Sequence, residues 1–404
     1  MTASLTLSQH GCLACGFLWA MPAFDGGKQP LATLAWPESA EASERLQRFP
    51  LSFVRCGRCG HIYNRDFTYA AVPYIEHPNR MYNASPLWKA HTDILIAKLL
   101  PHLPENPVVV EIGCGEGSFL QALAAACGPG RFIGFDPNQN PDRTDYTRIE
   151  RRAELFLPAE HMETLKPDLI LSRHVLEHLM NPLAFVQEIA FYSALHAVDS
   201  ALFFEVPCID RVLAYGRIED LYYEHNSHFT RRSFHTFLSH LPGQLLFVEQ
   251  GYNEEVIYGL VHLEDKNTRQ LVDETLRFTQ QTQQAQHHVK AMVKALAEPV
   301  IIWGGTGKAA AFIHHFQLVQ ENLYVVDSDP DKWGTFVPGT AFEINDPDSL
   351  KTMSAAPVLI PSQWRAHDIC EEIKSRQLPY LDLYIEHQGT LVHFLTDVHP
   401  YHNK

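Results

Sequence analysis

At 404 residues, 46% of them hydrophobic, the chain is too long for one ordinary core, and its composition predicts a soluble globular protein of two or three domains. Its 32 basic residues stand against 47 acidic ones, a formal charge of −15, which argues against broad contact with nucleic acid or with an anionic membrane surface. Met1 to His10 lacks the pattern of a signal peptide and no apolar run approaches membrane-spanning length, so a cytoplasmic location is expected.

In chain order the first elements are two Cys-x-x-Cys-Gly cassettes, Cys12 to Gly16 and Cys56 to Gly60. Each turn points two thiolates at one ion, and two such knuckles complete a tetrahedral Cys₄ site. Cys12, Cys15, Cys56 and Cys59 are therefore expected to hold a structural Zn²⁺, with a strand pair and a loop between the cassettes. Disulfides are the competing reading, disfavoured in a cytoplasmic chain. Cys114, Cys127, Cys208 and Cys370 lack partners at metal spacing and read as small apolar residues. A Pro- and Tyr-rich bridge, 69–83, leads into a helix over 86–100.

Strands and helices then alternate: strand 108–112, helix 117–127, strands 131–135 and 168–172, helix 181–194, strand 201–206, helix 231–240 and strand 245–251. That alternation predicts a mostly parallel sheet covered on both faces. Its first strand ends in Glu111 and runs into Gly113-Cys114-Gly115-Glu116-Gly117, a turn whose glycines let the backbone bend and approach a ligand. The spacing is not the G-x-G-x-x-G of a pyrophosphate site, and an acid beside it favours a cationic sulfonium, so the turn points to S-adenosylmethionine. The next strand ends at Asp136-Pro137, where a carboxylate reaches ribose hydroxyls. A third runs into Arg173-His174-Val175-Leu176-Glu177-His178. Together these elements resemble the class I methyltransferases.

From Asn267 to Glu298 little Gly or Pro interrupts the chain, which predicts one long connecting helix. A second nucleotide-type fold starts at Pro299: strand 300–303, turn Gly304 to Lys308, helix 309–316 and strand 323–326 ending at Asp327, with later strands near 358–360 and 380–383. The turn lacks full dinucleotide spacing. A substrate-binding role fits better than NAD, because turn amides and a helix N-terminus bind phosphate without net positive charge, and Lys308 adds a charge-assisted contact.

Between the folds lies Ile218 to Thr230, dense in titratable groups. A carboxylate next to an imidazole, with tyrosines nearby, suits removal of a proton from carbon beside a carbonyl. The bland alternative is a solvated loop; Thr230 is also expected to cap the following helix.

The ordered set of cysteine knuckles, Glu111 to Gly115, His174 to His178, Phe204-Glu205-Val206-Pro207 and Tyr222-Tyr223-Glu224-His225 resembles the zinc-containing sugar C-methyltransferases of deoxysugar pathways. Asp327 to Gly334 followed by Val337 to Thr340 is similar to that family's C-terminal signature. The resemblance implies an α/β architecture: a zinc-binding module (1–70), a class I methyltransferase Rossmann-like domain (71–252), a helical connector (253–298) and a second Rossmann-like domain that binds substrate (299–404). It implies an enzyme that methylates the carbon next to the keto group of a nucleotide-linked sugar, through an enolate. His225 is then the base, with Tyr222 beside it and Glu224 orienting it or holding a sugar hydroxyl; His178 faces the same cleft, and Tyr82 is a further candidate. Glu111, Gly113, Gly115, Gly117, Asp136, Pro137 and His174 form the cofactor set. A small-molecule acceptor, no nucleic acid, no membrane, and a monomer or small homo-oligomer are expected.

The chain departs from the family where Tyr223 and His228 stand in place of the His and Tyr of a Tyr-His-Glu-His-x-Ser-Tyr pattern, so the sugar is not carried over. The rivals are an O- or N-methyltransferase of another metabolite on the same scaffold, a non-catalytic zinc module, and an oxidoreductase using the second fold.

Overall fold

The computed structural model describes residues 6–7, 11–74, 83, 85–138 and 147–402. The chain divides into two compact units, Met1–Gln270 and Leu271–Lys404. Strands of the first unit are β1 (Thr6–Leu7), β2 (Trp19–Gln29), β3 (Phe49–Cys56), β4 (Ile62–Asn64), β5 (Val108–Ile112), β6 (Arg131–Phe135), β7 (Glu150–Arg152), β8 (Leu169–Arg173), β9 (Ala201–Pro207), β10 (Ser227–His228), β11 (Gly243–Gly251) and β12 (Val256–Leu263).

Seven of these form one sheet in the order β11-β12-β9-β8-β5-β6-β7; β5 to β9 run parallel, and β12 is antiparallel to both β9 and β11. The central strands are apolar throughout because both faces are covered. Val110, Ile112 and Ile170 enter one core cluster, while Val109, Leu171 and Phe203 enter the other. The chain leaves β5 towards β6 on one side and returns as β8 on the other, which opens a crevice at the carboxyl ends of β5 and β8. Ser85 caps the helix Pro86–Leu99 and Asn181 caps Pro182–Leu195, each with Pro at the first helical position.

A second sheet, antiparallel, has the order β1-β2-β3-β4-β10. The strand pair expected between the cysteine cassettes is β2 with β3. Its last strand, β10, comes from residue 227 onward, pairing Ser227 with Tyr63 and His228 with Ile62.

In the second unit β13 (Val300–Trp303), β14 (Leu323–Val326), β15 (Ile344–Asn345), β16 (Val358–Leu359), β17 (Leu383–His387) and β18 (Thr390–His393) form a sheet in the order β15-β14-β13-β16-β17-β18, parallel except for β18. The long helix Lys266–Ala295 contributes Val289 and Val293 to this unit's core, with Ile302, Phe312 and Leu323. The helical connector expected from residue 253 is thus shorter: Val256–Leu263 is a buried strand, because its apolar residues fill the slot between β9 and β11. The strand expected near 380 begins instead at Leu383. Among the described residues no helix is long and apolar enough to cross a membrane.

Candidate active site and cysteine cluster

The sulfurs of Cys12, Cys15, Cys56 and Cys59 converge, with Cys12 Sγ 3.6 Å from Cys59 Sγ and Cys15 Sγ 3.7 Å from Cys56 Sγ. These separations are far too long for a disulfide. Four sulfurs at about 2.3 Å from one tetrahedral ion would stand about 3.8 Å apart, so the cluster fits zinc. Ala14 and Arg58 each point a backbone N–H at a cysteine sulfur, at 3.4 Å. Gly16 and Gly60 close the two knuckles at φ of 70° and 80°, a region open to glycine, each donating its N–H to the carbonyl of the first cysteine.

At the crevice of the large sheet a cleft of about 890 Å³ is lined by Gly113, Gly115, Glu116, Asp136, Pro137, His174, Val175 and His178, with Phe135, Phe156, Leu157 and Phe185 as apolar walls. Gly113 has a φ of 71°, and a Cβ there would collide with Val175. Asp136 accepts the Gly115 N–H at 2.9 Å and the Asn138 N–H at 2.8 Å. Both bonds fix its carboxylate at the mouth, where the remaining lone pairs of its oxygens can accept from a ribose diol.

Two expected cofactor residues do not line this cleft. Gly117 starts the helix Ser118–Cys127 at a φ of 83°. Glu111 shares a face with Val109 through strand alternation and is 3% exposed. Its Oε2 has no hydrogen-bond partner, and burial pushes its carboxyl up to about 8 against the pull of Arg173. Its carboxyl faces the Leu120 backbone N–H in the helix that follows the turn.

The segment 222–228 brings two of the expected catalytic residues, Tyr222 and His225, against a third, His178. Tyr222 Oη lies 2.9 Å from His225 Nε2, and the His225 and His178 rings meet edge to face at 4.7 Å. Burial, then His178 and His228, hold the His225 imidazole well below its ordinary range, so it is neutral at cell pH. Burial and nearby carboxylates push the Tyr222 hydroxyl upward. Glu177, 1% exposed, reaches to within 4.8 Å of His178 and His225. Such a trio could admit a cation, but Glu177 already faces His174, whose Nδ1 is 3.6 Å from its Oε1. Burial works against a charge on His174, yet Glu177 and Glu205 raise it to about 9, making it an imidazolium.

Glu224 does not hold the position expected of it. Its carboxylate accepts the N–H groups of Ala32, Thr33 and Leu34 and the Thr33 hydroxyl, at 2.6 to 3.1 Å, and the residue is fully buried. Those bonds occupy the carboxylate, leaving it to pin the β2–β3 connection. Its carbonyl does the rest: His178 Nδ1 sits 2.8 Å away, and the Tyr74 hydroxyl donates to the same oxygen. Tyr74 is a site residue that sequence reasoning missed. It stands in the tyrosine-bearing bridge from which Tyr82 was chosen, and Tyr82 lies outside the described residues.

Beneath the cleft Glu205, fully buried, accepts from Arg173 Nε and Nη2 at 3.0 and 2.8 Å and meets His91 and His174. Burial would raise its carboxyl, but Arg173, His174 and His91 together hold it well below the usual carboxylate range. In the second unit Asp327 repeats the Asp136 device, accepting from Gly305 N–H at 2.8 Å and Asp329 N–H at 2.9 Å. There Lys332 Nζ adds an ion pair at 3.1 Å.

Residues 91–241 match a family model described as a methyltransferase domain, and residues 248–383 match one described as a C-methyltransferase C-terminal domain. A curated relative, C-methyltransferase NovU from Streptomyces niveus, is 26% identical over 249 residues, 57% of this chain. The match spans 55% of that relative's length. Among solved structures, magnesium protoporphyrin IX methyltransferase from Synechocystis PCC 6803 with bound SAH is 14% identical, covering 47% of this chain and 91% of that one, at a TM-score of 0.34. N-methyltransferase NodS from Bradyrhizobium japonicum WM9, in complex with S-adenosyl-L-homocysteine, is 16% identical, covering 47% and 95%, at a TM-score of 0.33. In chain order, then, a segment similar to a methyltransferase domain is followed by one similar to a C-methyltransferase C-terminal domain.

Proposed function

We propose that this protein methylates the carbon next to the ketone of a nucleotide-linked deoxysugar. The observation that carries the proposal is the neutral, half-buried His225, held by Tyr222 and edge-on to His178, which lines the cofactor cleft. S-adenosylmethionine, when bound, supplies an electrophilic methyl group on a sulfonium. Asp136, Pro137, Gly113 and Gly115 hold its nucleoside, with His174 at the same wall and Glu111 and Gly117 shaping the turn beneath. A neutral imidazole is ready to accept the proton from the acceptor's α-carbon. Its low proton affinity is offset as the enolate's negative charge develops beside it. We assign the donor for the enolate oxygen to Tyr222 Oη; His178, whose Nδ1–H the Glu224 carbonyl accepts, offers Nε2 as an acceptor. Glu224 positions rather than reacts: through its carbonyl it sets the His178 ring, and through its carboxylate it fixes residues 32–34.

Zinc at Cys12, Cys15, Cys56 and Cys59 serves structure. Its module carries β4, and β4 holds β10, so the ion anchors the segment that bears His225. The proposal is tested by incubating a panel of nucleotide-linked ketosugars with methyl-labelled S-adenosylmethionine and locating the label by NMR. A label on the carbon beside the ketone supports C-methylation; one on oxygen or nitrogen refutes it.

A further inference from the structure

Next to the cofactor cleft, and sharing Tyr69 and Tyr74 with it, lies a second hollow of about 760 Å³. Leu34, Trp36, Leu46 and Phe49 line it from the β2–β3 connection and the start of β3. Trp36 is 72% exposed, yet its indole N–H donates to the Thr33 carbonyl at 2.8 Å. Thr33 is in turn pinned by the Glu224 carboxylate, through its N–H at 2.6 Å and its hydroxyl at 3.1 Å. A large aromatic ring fixed by such a chain of bonds, with an exposed face and apolar walls beside it, has the form of a stacking platform. The floor is continuous with the catalytic segment, since Leu34 and Phe49 pack in one cluster with Tyr223.

We infer that this hollow takes the planar base of the nucleotide-linked acceptor; the inference rests on the function proposed above. Tyr74 lines both hollows and its hydroxyl is 3.2 Å from His178 Nδ1. An acceptor whose ketone reaches His178 and His225 therefore has this hollow beside it for the part that does not react. The alternative place for a nucleotide, the glycine turn of the second unit, offers less. The acid that would hold a ribose there, Asp327, is already closed by Lys332.

Titration calorimetry on the full zinc-loaded chain, without S-adenosylmethionine, tests the inference with dTDP, UDP, CDP, GDP and inorganic pyrophosphate as probes. At least one nucleotide binds saturably and more tightly than pyrophosphate. Trp36→Ala weakens that nucleotide by about tenfold or more, the usual scale of a lost base–aromatic stack. Trp36→Phe, which keeps an aromatic ring but loses the bond to Thr33, restores only part of the affinity, and S-adenosylmethionine binding is unchanged in both variants. Trp364→Ala is the control in the second unit, where the exposed Trp364 ring stands 5.8 Å from Lys308 Nζ; it leaves nucleotide binding intact. If Trp364→Ala weakens the nucleotide and Trp36→Ala does not, the base sits in the second unit, and this inference falls while the proposed reaction stands. If no nucleotide binds the wild type, yet a free ketosugar is C-methylated, both the inference and the nucleotide-linked acceptor fall, and C-methylation survives.

Discussion

At the scale of single residues the site is governed by which buried groups carry charge. Glu205 is the clearest case: a fully buried carboxylate shared by Arg173, His174 and His91. Glu205→Gln leaves the Arg173 guanidinium without its counter-charge, and chemical denaturation should record a loss of about 3–5 kcal/mol. Proton linkage gives a second expectation. His225 is held well below its ordinary value and His228 is lowered to about 4, so below pH 6.5 or so the unfolded chain binds protons that the folded chain refuses. Stability therefore falls as pH drops from about 6.5, by about 1.4 kcal/mol per pH unit for each group before any offset. His174 and Glu111 act in the opposite direction, with values of about 9 and 8. The His174 contribution is whole below about pH 6.5 and lost as pH rises through 9, while Glu111 withdraws stability as pH rises from its ordinary value to 8. Urea midpoints should peak near pH 6.5. In Glu111→Gln the fall between pH 6.5 and 8 should shrink by about half, and an unchanged slope would show that Glu111 is already ionised.

The residue scale is also where the sequence was least legible. Asp136, the glycine turn and the four cysteines are read from local spacing, because their neighbours in the chain build their geometry. Glu224 and Tyr74 are not. The Glu224 carboxylate is occupied by residues 32 to 34, about 190 positions away, and Tyr74 meets the Glu224 carbonyl across 150 positions. Spacing carries no trace of such contacts, so Glu224 reads as a partner for its neighbour His225, and the bridge offers Tyr82 with nothing to single out Tyr74.

At the scale of elements the decisive pairing is β4 with β10. The cofactor cleft is built by the turns after β5, β6 and β8, all in the parallel sheet, whereas the strand that follows His225 hangs from the cysteine module. Tyr223 strengthens the same joint, accepting the Thr68 N–H at 2.9 Å and stacking on Phe49 at 4.7 Å. Stripping zinc should therefore separate two properties that a single-domain enzyme would lose together. Methyl transfer should drop by at least about a hundredfold, as expected when reacting groups lose alignment. Affinity for S-adenosylmethionine, measured by calorimetry, should change only a few-fold. Full activity in a zinc-free chain would contradict the anchoring role. Element boundaries in the large sheet follow the apolar runs closely. The strand β12 was lost to the connector because its apolar run precedes a long polar helix without an intervening Gly or Pro. The two-residue strand β15 exists by virtue of its neighbours and carries little pattern of its own, whereas β16 lies in the apolar run 358–360.

At the scale of the whole molecule, two open sheets in one chain use the same acid-and-glycine device for different ends. Asp136 is left to meet a ligand, and Asp327 is paired with Lys332. Lys332→Met should loosen the second unit by about 1 kcal/mol, given the partial exposure of the pair, and leave S-adenosylmethionine binding untouched. A large change in cofactor affinity would mean that the second sheet takes part in cofactor binding.

The central claim is that His225 removes a proton from the carbon beside the acceptor's ketone. It is tested most directly by incubating the protein with its ketosugar in deuterated water, without a transferable methyl group, and following the α-proton by NMR. The account predicts exchange in the wild type and its loss by about a hundredfold or more in His225→Ala, with S-adenosylmethionine affinity preserved in that variant. Exchange that persists in His225→Ala, or its absence in a wild type that still methylates the sugar, would contradict it.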